Sequence, residues 1–470
     1  MDDLAAIKGG LVMKFFWLMG KQICRLGLLV ALSFSLAACS TMEDWTDLET
    51  PELPSLPKFT NPFKKAPPKL PGERIPVMSA KRDGHPELDV ASATAVTVLP
   101  VATVNSVWSQ PGGQADNAPG HLMLNGGLSQ RWSVDVGRGS TKRGRVIASP
   151  IVFDGKIFTL DSRGRVSAVS QAGGRTIWSR KLTPKAEKDY EGYGGGLAIS
   201  SGRLYVTTGY GRVYALSPSN GSEIWVKVVG EPIRTSPTAI NGKVFAITAL
   251  GNFICLSGED GSEVWRYQGL PESASMMSNA SPAVAGGTVI APYASGELIA
   301  FDIESGSPIW TESLSRANRG ALSALRNASR PVVKDGVVYA IGHAGRMVAS
   351  SLKTGERKWA QNIHGVQAPW IAGGVVYVVD LFGELMALTS KSGNLLWKTK
   401  LPGGGRWSGP VLAGGRLWLV STKGLLVAVD AKLGSVSAKR NLGTKMTIAP
   451  VVAGGRMYLL TDKAKLLAFN

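Results

Sequence analysis

Cysteine and histidine are both scarce in this chain. Three cysteines and four histidines occur in 470 residues, and charged residues make up only 18% of the sequence. No CxxC, HExxH, GxSxG or Walker pattern is present, so the sequence gives no sign of a redox dithiol, a zinc protease, a serine hydrolase or a nucleotide-phosphate loop. The histidines are not at metal-ligand spacing: His85, His121, His343 and His364. We therefore predict no metal, no cofactor and no catalytic residue.

Glycine, in contrast, is abundant, with 57 residues. Many glycines among valines and leucines are typical of short strands joined by tight turns. The formal net charge is +18, which indicates either an anionic neighbour, such as lipid headgroups or envelope polymers, or a surface charged for solubility alone.

Residues 1–38 have the pattern of a lipoprotein signal peptide. Basic residues precede an apolar run at 26–36, which is too short for an ordinary membrane span and ends in Leu36-Ala37-Ala38-Cys39. This ending resembles the bacterial lipobox, so we predict that Cys39 is lipidated and becomes the first mature residue. Ser40 in the next position implies sorting to the outer membrane, with the protein anchored on its periplasmic face. The alternative is a plain secretory signal, and Met13 is the expected start.

Twelve prolines lie between residues 51 and 119. Proline removes backbone donors, and the apolar residues of this segment are too scattered to form a core. Residues 39–125 are therefore predicted to be a flexible tether between the lipid and the folded body. Its lysines either contact anionic lipid or cell-wall polymer or are simply solvated.

From residue 128 onward the sequence repeats itself eight times. One slot holds proline in seven repeats and Leu197 in the other. A glycine follows five residues later in every repeat, and another follows 14 residues later in every repeat except the last, which has Ala464. A small residue follows at 18, with Cys255 in the third repeat, and a glycine at 24. The slot at 28 holds tryptophan in six repeats: Trp178, Trp225, Trp265, Trp310, Trp359 and Trp397.

Each repeat contains four short β-type runs separated by glycine turns, which predicts a propeller blade of four antiparallel strands. The fold class is therefore all-β, an eight-bladed β-propeller over residues 126–470. The last repeat has room for only three strands, so the run 128–134, which contains Trp132, is predicted to complete the last blade. The tryptophans are interpreted as anchors between adjacent blades, and the small-residue slot as close packing near the centre.

The stretches VYALSPSNGSEIW, IAFDIESGSPIW and MALTSKSGNLLW resemble the tryptophan-docking repeat of pyrroloquinoline-quinone propellers. Quinoprotein alcohol dehydrogenases, which share this repeat, carry an adjacent-cysteine disulfide and an Asp/Glu/Asn calcium site over the channel. This sequence has no adjacent cysteines and no insertion with such ligands. The repeat is therefore taken as a sign of architecture.

The lipobox, the tether and the eight repeats together resemble the BamB family. That resemblance implies a non-catalytic scaffold subunit of the outer-membrane β-barrel assembly (BAM) machinery. It also implies docking on the POTRA domains of BamA, with other BAM subunits and unfolded outer-membrane proteins as further partners and no nucleic acid.

The resemblance places the contacts in loops before the fourth and fifth blades, 271–281 and 314–330. Exposed methionines adapt to partner surfaces and arginines favour interfaces, so the expected contacts are Met276, Met277, Arg316, Arg319, Arg326 and Arg330. The family's acidic pair in the second loop is not matched here.

Two alternatives remain open. A small quinoprotein enzyme predicts a bound chromophore, and an envelope-polymer-binding lipoprotein predicts binding that falls steeply with salt.

Overall fold

The computed structural model of the protein describes residues 98–126, 128–269, 280–315 and 328–470. Across these ranges the chain forms 32 strands in eight four-stranded antiparallel sheets. The prediction of an eight-bladed β-propeller is therefore confirmed. Within the same ranges no helix has the length and apolar character needed to cross a membrane.

The strand β1 (Gln130–Asp135) precedes the first complete blade. Blade one contains β2 (Ile151–Phe153), β3 (Lys156–Leu160), β4 (Arg165–Ser170) and β5 (Thr176–Lys181). Blade two contains β6 (Gly195–Ser200), β7 (Arg203–Thr208), β8 (Arg212–Leu216) and β9 (Glu223–Val228). Blade three contains β10 (Thr238–Ile240), β11 (Lys243–Ile247), β12 (Phe253–Ser257) and β13 (Glu263–Tyr267). Blade four contains β14 (Ala283–Ala285), β15 (Thr288–Pro292), β16 (Glu297–Asp302) and β17 (Pro308–Ser313).

The second half repeats this order. Blade five contains β18 (Val332–Lys334), β19 (Val337–Ile341), β20 (Met347–Ser351) and β21 (Arg357–Gln361). Blade six contains β22 (Trp370–Ala372), β23 (Val375–Val379), β24 (Glu384–Thr389) and β25 (Leu395–Lys400). Blade seven contains β26 (Trp407–Ala413), β27 (Arg416–Ser421), β28 (Leu425–Asp430) and β29 (Val436–Asn441). Blade eight contains β30 (Val451–Ala453), β31 (Arg456–Leu460) and β32 (Lys465–Phe469), with β1 as its fourth strand.

The first turn of every blade has the same backbone conformation. Its two central residues both have positive φ, for example 49° at Asp154 and 66° at Gly155. Two consecutive positive φ values match a type I′ turn, whose twist suits a tight hairpin. Asp, Asn, Ser or glycine precedes the invariant glycine in all eight turns, which explains why the repeat was visible in the sequence.

The ring closes where the repeat count predicted. β1 pairs antiparallel with β32, with Trp132 opposite Ala468 and Asp135 opposite Lys465. Blade seven reinforces the seam, because Arg440 donates a hydrogen bond to the Leu128 carbonyl and its guanidinium carbon lies 5.3 Å from the Phe469 ring centroid. The fourth strand of the last blade therefore comes from the opposite end of the domain.

Each slot tryptophan lies against the third-turn glycine of the next blade. A Cβ built on Gly221 would lie 2.6 Å from Cε3 of Trp178, and the same relation joins Trp132 to Gly174 across the seam. Five of the indoles also donate to a backbone carbonyl of the next blade, with acceptors Pro218, Gly258, Ile303, Leu352 and Ser390. A substituent on the glycine would displace the indole, so the glycine and tryptophan slots are matched.

The small-residue slot has a different role from the predicted one. It lies on the third strand of each blade, directly opposite the tryptophan slot of the fourth strand, as in the pairs Ala168–Trp178 and Cys255–Trp265. The interpretation that it packs near the centre is therefore wrong, since the small side chain leaves room for the neighbouring indole. Cys255 is fully buried there, and burial raises the pKa of its thiol to about 12.

The break in the tryptophan slot also has a structural reason. Ala438 in blade seven faces blade eight, whose fourth strand is β1 and which has no turn from its third strand to its fourth. Without that turn there is no docking glycine, and the tryptophan slot of blade seven holds Ala438.

Residues 105–125, here called the collar, make a full circuit of the first strands. Backbone pairs join Trp108 to Val152 in blade one and Leu122 to Leu412 and Gly414 in blade seven. Blades two to six and blade eight are hydrogen-bonded to the collar in chain order, and the collar residues that bond to them are Ser109, Gln110, Ala115, Asp116, Gly120 and Asn125. The collar therefore covers the end of the channel at which the first strands finish.

The predicted tether is wrong for residues 105–125. Trp108 and Leu122 are only 2% and 1% exposed, and the collar is bonded to the blades rather than solvated. It needs no periodic apolar pattern, because most of its bonds join backbone atoms to first strands that have no other partner on that side. Residues 39–97 of the predicted tether lie outside the described residues, as do Cys39 and the signal peptide.

Candidate functional site

A cavity of about 430 Å³ occupies the central channel of the ring, directly next to the collar. Its floor is formed by collar residues Trp108, Pro111, Gly112 and Asn117. Its walls come from the segments that lead into the first strands of blades one, four, five, six, seven and eight. The collar closes one end, so the cavity is blind and opens toward the inter-blade loops.

The collar at the floor is fixed by hydrogen bonds to blades five and three. The Asn117 side chain donates to the Pro331 carbonyl at 2.9 Å, and Asn117 has φ of 60°, a conformation that asparagine tolerates well. Gln110 donates to the Ala239 carbonyl at 2.6 Å and accepts from the Ala239 amide at 3.2 Å. Both side chains are buried, so the floor is a rigid part of the fold.

Three arginines line the cavity: Arg145, Arg330 and Arg406. Arg145 and Arg406 are exposed at the mouth, whereas Arg330 is half-buried and donates from Nη1 to the Pro111 carbonyl at 3.1 Å. Burial lowers the pKa of Arg330 to about 10. The cavity is therefore electropositive, with one cation held against the floor.

Asp380 is the acidic residue among the described lining residues. It is buried, and its Oδ1 accepts from the backbone amides of Phe382 and Glu384 at 2.9 and 2.7 Å. Those bonds hold the turn between β23 and β24, so this carboxylate has a structural task.

The predicted contact residues are only partly placed. Met276, Met277, Arg316, Arg319 and Arg326 lie outside the described residues. Arg330 is placed, and its side chain lines the cavity and bonds to the collar. Its expected contact with a partner stays a prediction.

The residues of the cavity do not fit a calcium–quinone centre. No group of three His, Cys, Asp or Glu side chains that could hold a metal occurs in the described parts of the chain. The lining offers one carboxylate, already bonded to two amides, and Cys255 is buried in blade three rather than in the channel. The chemistry implied by the quinoprotein resemblance therefore has no ligand set here.

Sequence reasoning missed both the collar and the cavity. The arginines of the cavity come from three separate inter-blade segments, and only the closed ring brings them together. The one available signal was the composition of residues 105–125, where Trp108, Gln110 and Asn117 stand among prolines and glycines.

A family model described as outer membrane protein assembly factor BamB matches residues 162–399 and 382–470. Among solved structures, BamB from Moraxella catarrhalis is similar at 20% identity with a TM-score of 0.61, covering 73% of this chain and 100% of that one. Quinohemoprotein alcohol dehydrogenase from Comamonas testosteroni is similar at 15% identity with a TM-score of 0.63, covering 78% of this chain and 81% of the enzyme. A europium-containing methanol dehydrogenase has a TM-score of 0.60 at 13% identity, covering 75% of this chain and 89% of the enzyme. These structural similarities show the fold alone. No curated protein matches the sequence.

Proposed function

Since the chain belongs to the family of the outer membrane protein assembly factor BamB, we propose that it is a non-catalytic scaffold subunit of the machinery that inserts β-barrel proteins into the outer membrane. The observation that carries the proposal is the family-model match, which spans the blades from residue 162 to the C-terminus. The absence of a fitting metal or quinone ligand set in the described cavity supports a scaffold over a dehydrogenase.

The proposed partner is BamA, contacted on its POTRA domains through the loops before blades four and five. In the sequence both loops directly precede first strands, β14 and β18. Anchoring through Cys39 at the periplasmic face of the outer membrane would keep the propeller close to such a partner.

Charge reversal in the second loop tests the docking. The triple variant Arg316→Glu, Arg319→Glu and Arg326→Glu is expected to reduce co-purification of BamA from detergent-solubilised envelope at least about tenfold, because rim and interface charges steer and specify the encounter. The measurement is quantitative immunoblotting of BamA retained by the lipidated protein.

A control variant carries the same change in charge on exposed arginines elsewhere: Arg131→Glu, Arg175→Glu and Arg416→Glu. It is expected to retain BamA. Equal losses in the two variants would assign the effect to net charge, and the loop would then have no specific role. Recovery of no barrel protein by the unaltered chain would contradict the scaffold role and favour the dehydrogenase alternative, which predicts a chromophore in the absorption spectrum.

Client binding is proposed to use a free blade edge. In β9 the outward face carries Ile224, Val226 and Val228, which are 46%, 38% and 59% exposed. β9 is the fourth strand of its sheet, so its outer edge has no strand partner in blade two. An extended segment of an unfolded barrel protein can add to such an edge by β-augmentation, with alternate apolar side chains meeting this face.

The variant Val226→Lys, Val228→Lys is expected to weaken binding of a ten-residue barrel-strand peptide about fivefold or more, since lysine on an edge opposes strand addition. Fluorescence anisotropy of the labelled peptide measures the affinity. The matched control is Thr311→Lys, Ser313→Lys at the same positions of blade four. A proline-substituted peptide that binds as well as the parent would contradict strand addition.

A further inference from the structure

We propose that the blind cavity of the channel binds a small polyanion, a molecule that carries at least two carboxylate or phosphate groups. This inference goes beyond the proposed scaffold role, because it concerns the channel; of the residues expected in the docking loops, it uses Arg330.

The first argument is charge. Arg145, Arg330 and Arg406 line the same cavity, which has one acidic side chain, Asp380, among its described residues. No described carboxylate lies within ion-pair distance of Arg145 or Arg406. Each guanidinium group is a planar fork of N–H donors that matches a pair of carboxylate or phosphate oxygens, and three such groups surround this one concave site. A ligand with two negative charges would balance Arg145 and Arg406.

The second argument is the position of Arg330. Its hydrogen bond to the Pro111 carbonyl fixes the guanidinium against the floor, so an arriving anion meets a pre-oriented donor. Burial disfavours the charged form of this side chain and lowers its pKa to about 10. A bound anion would offset that cost, and the arginine would in turn hold the anion away from bulk water.

The third argument is the aromatic lining. Trp108, Trp370 and Trp407 line the cavity, and Trp108 stacks on Trp370 with ring centroids 6.3 Å apart. A few polar groups among apolar and aromatic side chains are the usual composition of a small-molecule site.

The fourth argument is shape. The cavity is about 430 Å³, within the range of small-molecule sites, and the collar closes it at one end. A polymer could not pass through such a site, whereas a molecule of the size of a tricarboxylate fits it.

Isothermal titration calorimetry of the full mature chain with citrate and with pyrophosphate tests the proposal, and acetate at equal ionic strength serves as the monoanion reference. Saturable binding at one site per chain is expected for citrate, pyrophosphate or both. Binding of citrate alone would identify carboxylates as the ligand groups, and binding of pyrophosphate alone would identify phosphates. Arg330→Gln is expected to lower the affinity at least about tenfold, in line with loss of a charge-assisted bond to a buried group.

Because Arg330 also contacts the floor, the exposed pair Arg145→Gln and Arg406→Gln provides a second variant that leaves the core untouched. It too is expected to weaken binding about tenfold, whereas Arg175→Gln, on an exposed turn of blade one, is expected to have no effect. Binding that all variants retain, or no saturable heat with either polyanion, would overturn the proposal.

Discussion

Replacing Trp225 with alanine is expected to lower the free energy of unfolding by about 3–5 kcal/mol, the range found when a buried tryptophan is truncated. The indole is 9% exposed, packs 5.9 Å from the Tyr205 ring and donates to the Gly258 carbonyl at 3.2 Å. The variant therefore loses blade-to-blade apolar contact and one of the two hydrogen bonds to the Gly258 carbonyl, the other of which comes from the Tyr205 hydroxyl at 3.0 Å. The midpoint of urea unfolding, followed by circular dichroism, measures the change.

The matched control is Ile224→Ala, one residue earlier on β9, where the side chain is 46% exposed. It is expected to change the free energy of unfolding by less than about 1 kcal/mol. Equal effects of the two substitutions would show that the tryptophan slot does not join the blades.

The glycine partner of Trp225 allows a sharper test of the same docking. A Cβ built on Gly261 would lie 2.7 Å from Cε3 of Trp225, at φ of 76°. Gly242 in the same blade has φ of 71°, but a Cβ built on it would meet nothing within 4 Å. Both alanine substitutions incur the left-handed strain of about 1–2 kcal/mol, and only Gly261→Ala adds a clash of about 1–3 kcal/mol.

In the Trp225→Ala background the indole that a methyl group at position 261 would meet is absent. Gly261→Ala should then cost about as much as Gly242→Ala, which corresponds to a coupling free energy of about 1–3 kcal/mol between residues 225 and 261. If the free-energy changes of the two substitutions simply add, the indole moves aside without cost. The close approach of Trp225 to Gly261 would then contribute nothing to stability.

The blades could be predicted from sequence because their signals are local. A turn with two positive φ values selects glycine at a fixed place, as at Gly155 and Gly242, and each docking tryptophan selects another, as at Gly221. The closing strand followed from the count, since the last repeat had three strands and Trp132 had no other blade.

The collar and the cavity could not be predicted in this way. The collar is held largely by backbone bonds, such as Ile199 N–H to the Ser109 carbonyl, and a backbone bond leaves no side-chain periodicity in the sequence. Prolines in that segment therefore pointed to a solvated tether. Arg330 shows the same limit for side chains: its place at the end of a long loop was visible, but the direction of its guanidinium depends on Pro111, which is 219 residues away.

Replacing Trp108 with alanine gives the second large effect, a loss of about 3–5 kcal/mol in the free energy of unfolding. Trp108 is 2% exposed, stacks on Trp370 with ring centroids 6.3 Å apart and an interplanar angle of 22°, and pairs through its backbone with Val152. If residues 105–125 were a solvated tether, this substitution would have no effect on unfolding. The control is Val104→Ala, just before the collar, where the side chain is 65% exposed and a change below about 0.5 kcal/mol is expected.

Hydrogen exchange separates the collar from a segment that merely rests on the ring. The Trp108 and Leu122 amides donate to the Val152 and Leu412 carbonyls at 2.8 and 3.1 Å, on blades that are neighbours of the seam. Their exchange should therefore be as slow as that of the first strands, because both sets of bonds open only when the ring opens. In Trp108→Ala the Leu122 amide should lose protection together with the Gly414 amide, which donates to the Leu122 carbonyl. Loss of protection at Trp108 alone would mean that the collar residues open independently of one another, and the continuous circuit around the channel would then not act as one cooperative element.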